Sequence, residues 1–326
     1  MVADAAEPPI DKPCGEGLMP DSLDVLRDLG VSLDGLDYGE FRGIRFLDSR
    51  VSVKSTFPSG MGRGIRRTVL HQLLVDRAAN AGVTFLWRTR IAGLGVHRIS
   101  LNGQRDSVRA RWIVGADGGQ SQVRTWAGLD QYRSNTRRYG FRRHYRVASW
   151  SEYMEIYWAS GVQAYVTPIS SSEVCVAVIS RDPTLRLQQG LAKLPRLAMR
   201  LAHAEATTTE GGAVSASLAI RSVYRDEVAL IGDASGSVDA ITGEGLCLSF
   251  RQALALASAM EQGNLAAYQA EHRRLRRRPA FMSALMLSLD SHDWLRRSAI
   301  PAMASVPLVF RGLLSLHVGA VHVGAA

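Results

Sequence analysis

Two kinds of hydrophobic pattern alternate in the first part of the chain and again after about residue 222. Apolar residues at helical spacing predict helices at about 22–29, 68–80 and 245–260. Short apolar runs rich in valine and isoleucine predict strands at 83–87, 108–114 and 227–231. Strands that alternate with helices are typical of an α/β domain built on a parallel sheet.

The stretch between about 139 and 222 has a different pattern. It contains closely spaced strands with aromatic and β-branched residues, at 141–147, 153–158, 163–167, 173–180 and 214–222. A basic amphipathic helix is predicted at about 184–201. We therefore predict an α/β fold that carries an inserted α+β unit with an antiparallel sheet, followed by a helical tail. The predicted division is 1–136 and 223–265 for the α/β domain, 137–222 for the insert and 266–326 for the tail.

The composition is that of a globular protein, with 46% hydrophobic and 21% charged residues. No run of eighteen apolar residues occurs, and the start shows no basic region followed by an apolar stretch. The three cysteines, Cys14, Cys175 and Cys247, lack metal-ligand spacing, which favours free thiols in a reducing compartment. We therefore expect a cytoplasmic protein without a metal site.

The net charge of +9 raises the question of a nucleic-acid partner. The basic residues stand in short groups at 63–67, 137–146 and 273–278, and no basic helix is interleaved with stacking aromatic residues. A nucleic-acid partner is therefore not expected. The group at 273–278 is typical of a solvated helix face, and attraction to an anionic membrane surface is the alternative.

The strongest chemical signal follows the predicted strand at 227–231. That strand leads into Gly232 and Asp233, at the edge where an open α/β sheet places its ligands, and the acid can accept a hydrogen bond from a sugar hydroxyl. A long apolar helix then starts in a turn where Gly243 and Gly245 permit close approach of a flat ligand. The start of that helix favours negative charge. The alternative is a strand-turn-helix unit whose glycines serve packing alone.

A second strand-turn unit stands at 113–124. Its apolar strand leads into a Gly-Ala-Asp-Gly turn that contains Asp117 and Gly118. The alternative is a common Asp-Gly hairpin turn. Because Ser121 opens a further element instead of a returning strand, a second ligand loop on the same sheet is favoured.

A pair of arginines stands directly before the helix predicted at 68–80. A guanidinium at this place can bind a phosphate or a ribityl oxygen. Two adjacent arginines, Arg66 and Arg67, leave open which one does so, and either can be solvated.

These three motifs, in the order in which they follow one another along the chain (Arg67, Asp117, Asp233), resemble the flavoprotein monooxygenase superfamily with the hydroxybenzoate-hydroxylase-like fold. The stretch Asp11–Pro20 (DKPCGEGLMP) is similar to the geranylgeranyl-reductase-related branch of that superfamily. The resemblance covers most of the chain. It implies a Rossmann-like FAD-binding domain, an inserted antiparallel sheet that covers the substrate, and catalysis at the isoalloxazine ring.

The resemblance also implies roles for individual residues. Asp4 corresponds to the acid that binds the adenosine ribose, Arg67 to an FAD-binding arginine, and Ile91 to a residue whose backbone pairs with adenine. The other implied FAD-binding residues lie in two loops: Asp117 and Gly118, which a visiting NAD(P)H shares, and Gly232, Asp233, Gly243, Gly245 and Leu246. Tyr165 and Pro168 are similar to a segment that covers the substrate. Cys14 either lies beside the flavin or is a small buried apolar residue.

The resemblance implies one further element. The family's first strand and its Gly-x-Gly-x-x-Gly turn should precede Met1. We expect Met1 to lie inside the second strand of a product that is longer by about 30 residues. If the chain begins at Met1, we expect FAD binding to be weak or lost.

These motifs lead to three hypotheses about function. The first is an FAD-dependent oxidoreductase that reduces carbon–carbon double bonds of an apolar, polyprenyl- or polyketide-like small molecule, with NAD(P)H as transient electron donor. The second is a monooxygenase that uses NAD(P)H and O2 for hydroxylation or epoxidation, since it needs the same FAD site. The third is a truncated, non-catalytic remnant. The apolar stripe of the tail either packs on the body, which is the commoner outcome, or makes peripheral contact with a membrane.

Overall fold

A computed structural model describes residues 1–102 and 107–319, apart from the side chains of residues 133–135. The helices of this part are α1 (Pro20–Asp28), α2 (Arg67–Asn80), α3 (Gln122–Trp126), α4 (Leu187–Ala192), α5 (Pro195–Leu201), α6 (Gly245–Glu261), α7 (Leu265–Ser291), α8 (Asp293–Ser305) and α9 (Pro307–His317). Two 3-10 helices lie at Gly232–Ser235 and Ala240–Thr242.

The strands before the insert are β1 (Val2–Ala3), β2 (Gly17–Leu18), β3 (Gly39–Phe41), β4 (Gly43–Leu47), β5 (Ser52–Thr56), β6 (Gly62–Gly64), β7 (Phe85–Leu86), β8 (Ile91–Gly95), β9 (Arg98–Leu101), β10 (Ser107–Arg109) and β11 (Ile113–Gly115). The later strands are β12 (Tyr132–Arg146), β13 (Met154–Ala159), β14 (Val162–Pro168), β15 (Glu173–Ser180), β16 (Glu205–Ala206), β17 (Gly211–Ile220), β18 (Tyr224–Arg225) and β19 (Val228–Leu230).

Parallel pairing is found in the α/β part of the chain, as predicted. β1 pairs with β7, and β11 pairs with β19, in both cases in parallel. The prediction of a single strand at 108–114 is wrong, because a bend at Arg111 divides this stretch into β10 and β11. β10 pairs antiparallel with β9, whereas β11 joins β19, so the bend carries the chain from one sheet to another.

The insert forms the largest sheet, with the strand order β16-β12-β15-β14-β13-β4-β5 and with β17 paired to β12. β4 and β5 join this sheet from the first part of the chain, and β4 lies parallel to β13. The strand β12 spans the boundary proposed between residues 136 and 137. The division into domains stays a prediction.

The helix predicted at 184–201 is two short helices, α4 and α5. They are separated before Pro195, where Leu194 has a φ of −126° and a ψ of 66°. A proline lacks the N–H that a continuing helix needs and disfavours helical geometry in the residue before it. The prediction of one continuous helix is therefore wrong.

The two faces of the large sheet are covered by different helices. One face packs against α4 and α5 through Val162, Val176 and Leu187. The other face packs against the C-terminal helices, with Phe310 against Phe46 at a ring-centroid distance of 4.9 Å. The predicted α/β architecture with an antiparallel insert and a helical tail is confirmed, and much of the apolar stripe of the tail lies on the sheet.

Candidate functional site

The two glycine-containing loops follow neighbouring parallel strands. β11 and β19 pair in a register that places Gly115 beside Leu230, and the Ile231 amide donates to the Gly115 carbonyl at 3.0 Å. Because the carboxyl ends of parallel strands meet at one edge of a sheet, both loops lie at that edge. Arg124 joins them: its guanidinium donates to the Ala234 carbonyl at 3.1 Å and to the Gly119 carbonyl at 2.8 Å.

The carboxylate of Asp117 caps the start of α3, the helix that follows it. One carboxylate oxygen accepts a hydrogen bond from the Ser121 hydroxyl, and the other accepts from the amides of Gln122 and Val123 at 2.8 and 3.1 Å. These contacts satisfy amides at the start of α3, which have no partner within the helix. Gly118 follows with a φ of +83°, a conformation that favours glycine. The roles of both residues toward FAD and NAD(P)H stay predictions.

Asp233 is held differently. Its side chain is 42% exposed, and its carboxylate lies 3.1 Å from the Lys12 ammonium. Gly232, with a φ of +58°, donates its amide to the Gln252 side chain at 2.8 Å. The loop backbone is therefore fixed from within, while the acid faces outward and can accept a hydrogen bond from a ligand.

The start of α6 is open. Gly243 is in the left-handed conformation with a φ of +70°, where it ends the second 3-10 helix. A Cβ placed on Gly243 or Gly245 would meet no atom within 4 Å. Leu246, one residue on, packs against the apolar cluster between α1 and α2. The backbone at this helix start can therefore be approached closely by a flat ligand.

A buried ion pair anchors the loop that follows β19, which we call the second loop. Asp239 and Arg138 have fully buried side chains and lie 3.3 Å apart. Asp239 also accepts from the Ile241 amide at 3.0 Å, and Arg138 donates to the Gln163 side chain at 3.1 Å. A second acid, Asp290 of α7, lies 3.6 Å from Arg138. The loop, the large sheet and the tail are thus joined by one polar network.

Arg67 and Asp4 lie at the start of α2 and the end of β1. The Arg67 amide donates to the Glu16 carboxylate at 2.9 Å, while its buried Nη1 has no hydrogen-bond partner among the described residues. His71, one turn further along α2, is close to both: burial and the Arg67 charge lower its pKa, and the Asp4 charge opposes that shift. Arg66 is engaged elsewhere, in an ion pair with Glu173. Of the two arginines, Arg67 therefore has the guanidinium nitrogen that is free for an oxyanion.

Ile91 lies at the first position of β8. It pairs with Leu101 of β9, and the register shifts between Ile91 and Gly93. The Asn102 amide donates to the Arg90 carbonyl at 2.8 Å, directly beside this pair. The backbone role predicted for Ile91 at an adenine ring stays a prediction.

A second buried network was not foreseen from the sequence. Glu16 has a φ of +59°, and its carboxylate lies 2.6 Å from Nε2 of His144 on β12. Nδ1 of His144 faces the guanidinium groups of Arg66 and Arg142, each at 3.1 Å. Glu16, His144 and Cys175 lie close enough to share a cation, but the two guanidinium groups already supply positive charge there. Glu16 lies in the stretch Asp11–Pro20, yet no sequence pattern pairs it with a histidine on a distant strand.

The predicted substrate residues, Tyr165 and Pro168, are packed inside the protein. Tyr165 is buried and donates its hydroxyl to the Ile241 carbonyl at 2.8 Å. Pro168 is buried where the backbones of Gly39 and Gly64 approach it so closely that a Cβ on either would clash. The substrate contacts of Tyr165 and Pro168 stay predictions. Burial raises the pKa of Cys14 to about 11, so its thiol is neutral at physiological pH.

Comparisons with known proteins identify the family and the fold. The model of a family described as FAD binding domain matches residues 1–263. The digeranylgeranylglycerophospholipid reductase 1 of Methanococcoides burtonii is 34% identical over an alignment of 80 residues, which covers 22% of this chain and 19% of that protein. The menaquinone reductase of Mycobacterium tuberculosis is 25% identical over 299 aligned residues, which cover 82% of this chain and 71% of that protein.

One solved structure extends the comparison to the fold. The flavin-dependent brominase Bmp2 superposes with a TM-score of 0.80 at 16% identity, covering 97% of this chain and 86% of that one. This likeness concerns the fold alone. The residues described above fit the ligand of the matched family: a buried guanidinium nitrogen without a partner can bind a phosphate oxygen, and an open helix start can face the flat ring.

Proposed function

The chain belongs to the FAD-binding domain family of flavin-dependent oxidoreductases, and we propose that it reduces carbon–carbon double bonds of an apolar, polyprenyl- or polyketide-like substrate. One observation carries the FAD site on which this proposal rests: the loops after β11 and β19 lie side by side and are joined by Arg124. When bound, FAD supplies the hydride transfer. The protein binds and orients the reactants and controls the charge around the ring.

The proposal assigns a role to each part of the site. The unpartnered Nη1 of Arg67 binds a phosphate oxygen of FAD, and the exposed carboxylate of Asp233 accepts a hydrogen bond from the ribityl chain. The open amides at the start of α6, near Gly243 and Gly245, favour the negative charge that a reduced flavin carries. The loop of Asp117 and Gly118 receives NAD(P)H as electron donor.

Flavin binding is the first test. The purified chain is titrated with FAD, and flavin absorbance and fluorescence are followed. Arg67→Met should weaken FAD binding by at least tenfold, because a charge-assisted hydrogen bond contributes about 1.5–3 kcal/mol. Arg27→Met, on the exposed face of α1, is the matched control and should bind FAD as the unchanged chain does. A chain that takes up no FAD would instead favour the non-catalytic remnant.

The type of reaction is the second test. Two of the relatives are named as reductases, one of a digeranylgeranylglycerophospholipid and one of menaquinone, and these names support a reductase. A polyprenyl quinone and a geranylgeranyl lipid are suitable probes, incubated without oxygen with the FAD-loaded protein and NADPH or NADH. Reduction of the quinone ring to the quinol also adds two mass units, so the extracted quinone is reoxidised before mass spectrometry. A gain of two mass units that remains after reoxidation, or that is found in the geranylgeranyl lipid, shows the loss of a carbon–carbon double bond and supports the reductase. Oxygen uptake coupled to product formation, with no anaerobic turnover, supports the monooxygenase.

The C-terminal helices suggest that the protein meets its apolar substrate at a membrane surface. Within residues 1–102 and 107–319, no single helix is long and apolar enough to cross a membrane; α8 and α9 pass that test only as a pair bent by 104°. The corner between them exposes Val306, Leu308 and Val309, which are 50%, 73% and 49% exposed, beside the exposed Arg311. An apolar tip next to a cation suits peripheral contact with an anionic membrane surface. This contact is part of the proposal.

Vesicle sedimentation tests the membrane contact. The chain should sediment with vesicles that contain phosphatidylglycerol, and the double variant Leu308→Asp, Val309→Asp should stay in the supernatant. Met199→Asp, at a site 77% exposed on another face, is the matched control and should sediment like the unchanged chain. Equal sedimentation of all three proteins would contradict the assignment of this corner.

A further inference from the structure

Glu244 is a buried acid directly before α6, between the two glycines of the open helix start. It is only 4% exposed. Ionisable groups face it from four helices: Asp21 of α1, Cys247 and Arg251 of α6, Arg278 of α7 and His317 of α9. A charge at this position therefore depends on contacts that reach from the first helix to the last.

The two oxygens of the Glu244 carboxyl group have different surroundings. Oε1 accepts from the Arg278 guanidinium at 3.3 Å, and the same nitrogen of Arg278 lies 3.1 Å from Asp21. Oε2 faces Nδ1 of His317 at 3.5 Å, and both atoms are buried without any other hydrogen-bond partner among the described residues. A carboxylate oxygen and a bare imidazole nitrogen are both acceptors, so they oppose each other unless a proton lies on one of them.

Burial decides which group carries that proton. Burial raises the pKa of Glu244 to about 7, against the opposing charge of Arg278. Burial lowers the pKa of His317 to about 4. Below neutrality the neutral carboxyl group therefore donates to the imidazole. Above neutrality an ionised carboxylate faces Nδ1, which is bare because the N–H of the neutral ring serves the backbone of Thr242. Cys247 stays a neutral thiol throughout, because burial raises its pKa to about 12.

We propose that Glu244, together with His317, is a proton-holding pair that sets the charge beside the flavin and thereby its reduction potential. The inference rests on the proposed FAD site at Gly243 and Gly245. Glu244 acts through its charge in this scheme and not by contact with the flavin, since its carboxyl oxygens face Arg278 of α7 and His317 of α9. Through its contact with Glu244, His317 also connects α9 to the loop before α6.

The proposal fixes the proton count of flavin reduction. Two electrons from a reductant and one proton convert bound FAD to its anionic reduced form. Above about pH 7, where Glu244 is ionised in the oxidised protein, the new negative charge on the ring draws a second proton onto Glu244. Each proton taken up with two electrons contributes about 30 mV per pH unit to the slope of the potential. The slope of the potential should therefore rise from about 30 mV per pH unit below neutrality to about 60 mV per pH unit above it.

Spectroelectrochemical titration between pH 5.5 and 8.5 tests this. Above pH 7 the slope of the FAD-loaded protein should exceed that of Glu244→Gln by about 30 mV per pH unit, and below pH 7 the two slopes should agree. His317→Gln offers an N–H donor in place of the bare nitrogen, which favours the ionised acid, so its change of slope should move to lower pH. Glu261→Gln, at the exposed far end of α6, is the matched control and should follow the unchanged protein. Equal slopes in all four proteins would overturn the proposal.

A flavin-free measurement separates this inference from the proposed function. With 13C-labelled glutamate carboxyl groups, the flavin-free protein should show one signal that titrates near pH 7 and is missing from Glu244→Gln. If that signal titrates at the ordinary value of a glutamate, the proton-holding pair is refuted whatever the protein does with FAD. If it titrates near pH 7 while no FAD binds, the pair stands and the cofactor assignment fails.

Discussion

The loops after β11 and β19 each carry an aspartate among glycines, but the structure uses the two acids differently. The carboxylate of Asp117 accepts hydrogen bonds from Ser121 and from two amides of α3, so it is occupied within its own loop. The carboxylate of Asp233 is 42% exposed and contacts Lys12. An acid at the end of a buried strand can therefore serve the fold or face a ligand. Its hydrogen bonds, rather than the motif, distinguish the two uses.

The second loop also differs in how it is anchored. Its far end is held by the buried pair of Asp239 and Arg138, and its 3-10 helix is held by a contact between Ser235 and His272 of α7. Such buried polar contacts cost stability when they are broken, but they fix a loop in one position. The second loop is thus rigid where the proposed flavin ring needs a fixed surface. The predictions below test this contrast.

Loss of the Asp239 carboxylate should have the largest effect on stability. Among the residues that the structure describes, Asp239→Ala leaves the fully buried Arg138 with Asp290 alone, at 3.6 Å, to balance its charge. It also removes the acceptor for the Ile241 amide. Breaking a buried ion pair from one side costs about 3–5 kcal/mol. Urea unfolding should therefore show a decrease of that size in the free energy of unfolding.

Two variants control the Asp239 experiment. Asp239→Asn keeps an acceptor for the Ile241 amide and should lose less stability than the alanine variant. Asp24→Ala, at an exposed site on α1, should change the free energy of unfolding by less than about 0.5 kcal/mol. If Asp239→Ala is no less stable than Asp24→Ala, the second loop is not anchored as the structure indicates.

The contact between His272 and Ser235 predicts a loss of stability in acid. Burial lowers the pKa of His272 to about 3, and Arg276 adds to the shift, whereas an unfolded histidine titrates near 6.5. The unfolded state therefore binds the proton first, so this contribution is fully present above pH 6.5 and is lost as the pH falls toward 3. Over that interval it amounts to roughly 5 kcal/mol.

Comparison with a variant isolates this contribution. His272→Gln can still bond the Ser235 hydroxyl but does not titrate, so its free energy of unfolding should depend less on pH between 6.5 and 3 than that of the unchanged protein. Other titrating groups are common to both proteins and cancel in the difference. Parallel curves for the two proteins would show that the histidine is accessible to protons in the folded state.

Loss of the Asp117 carboxylate should have a smaller effect. Asp117→Ala removes the acceptor for two amides at the start of α3, and loss of such a cap costs about 1–2 kcal/mol. The free energy of unfolding, measured in urea, should fall by that amount, while the affinity for FAD should change little. A large loss of FAD affinity with unchanged stability would reverse the contrast between the two loops.

The sequence was sufficient to predict what depends on local pattern. The parallel pairing of the α/β part, the helix predicted at 68–80 and the long helix predicted from Gly245 follow from periodicity and from glycine positions, and they are confirmed, with α2 starting one residue earlier, at Arg67. The division of the helix at 184–201 was also visible in principle, because Pro195 marks it. A boundary set by one residue is easily missed when only the apolar stripe is considered.

Contacts between distant residues could not be predicted in this way. Glu16 and His144 are 128 positions apart, and Glu244 and His317 meet only because α9 returns to the loop before α6. Burial makes these pairs important, since it removes water as the alternative partner of each polar atom. Burial of a single polar side chain depends on the packing of whole elements, which no local pattern reports.

Asp233→Asn should have the smallest effect on stability, yet a clear effect on FAD binding. Its pair with Lys12 joins two largely exposed side chains, so the free energy of unfolding should change by less than about 0.5 kcal/mol. If the carboxylate accepts a hydrogen bond from the ribityl chain, loss of its charge should weaken FAD binding by about tenfold, the equivalent of 1.4 kcal/mol. Fluorescence titration with FAD measures this change.

Lys12→Gln removes the same ion pair but keeps the carboxylate, so its FAD affinity should stay unchanged. If both variants lose affinity equally, Lys12 acts on the cofactor and Asp233 only positions it; if neither does, Asp233 serves the fold as Asp117 does.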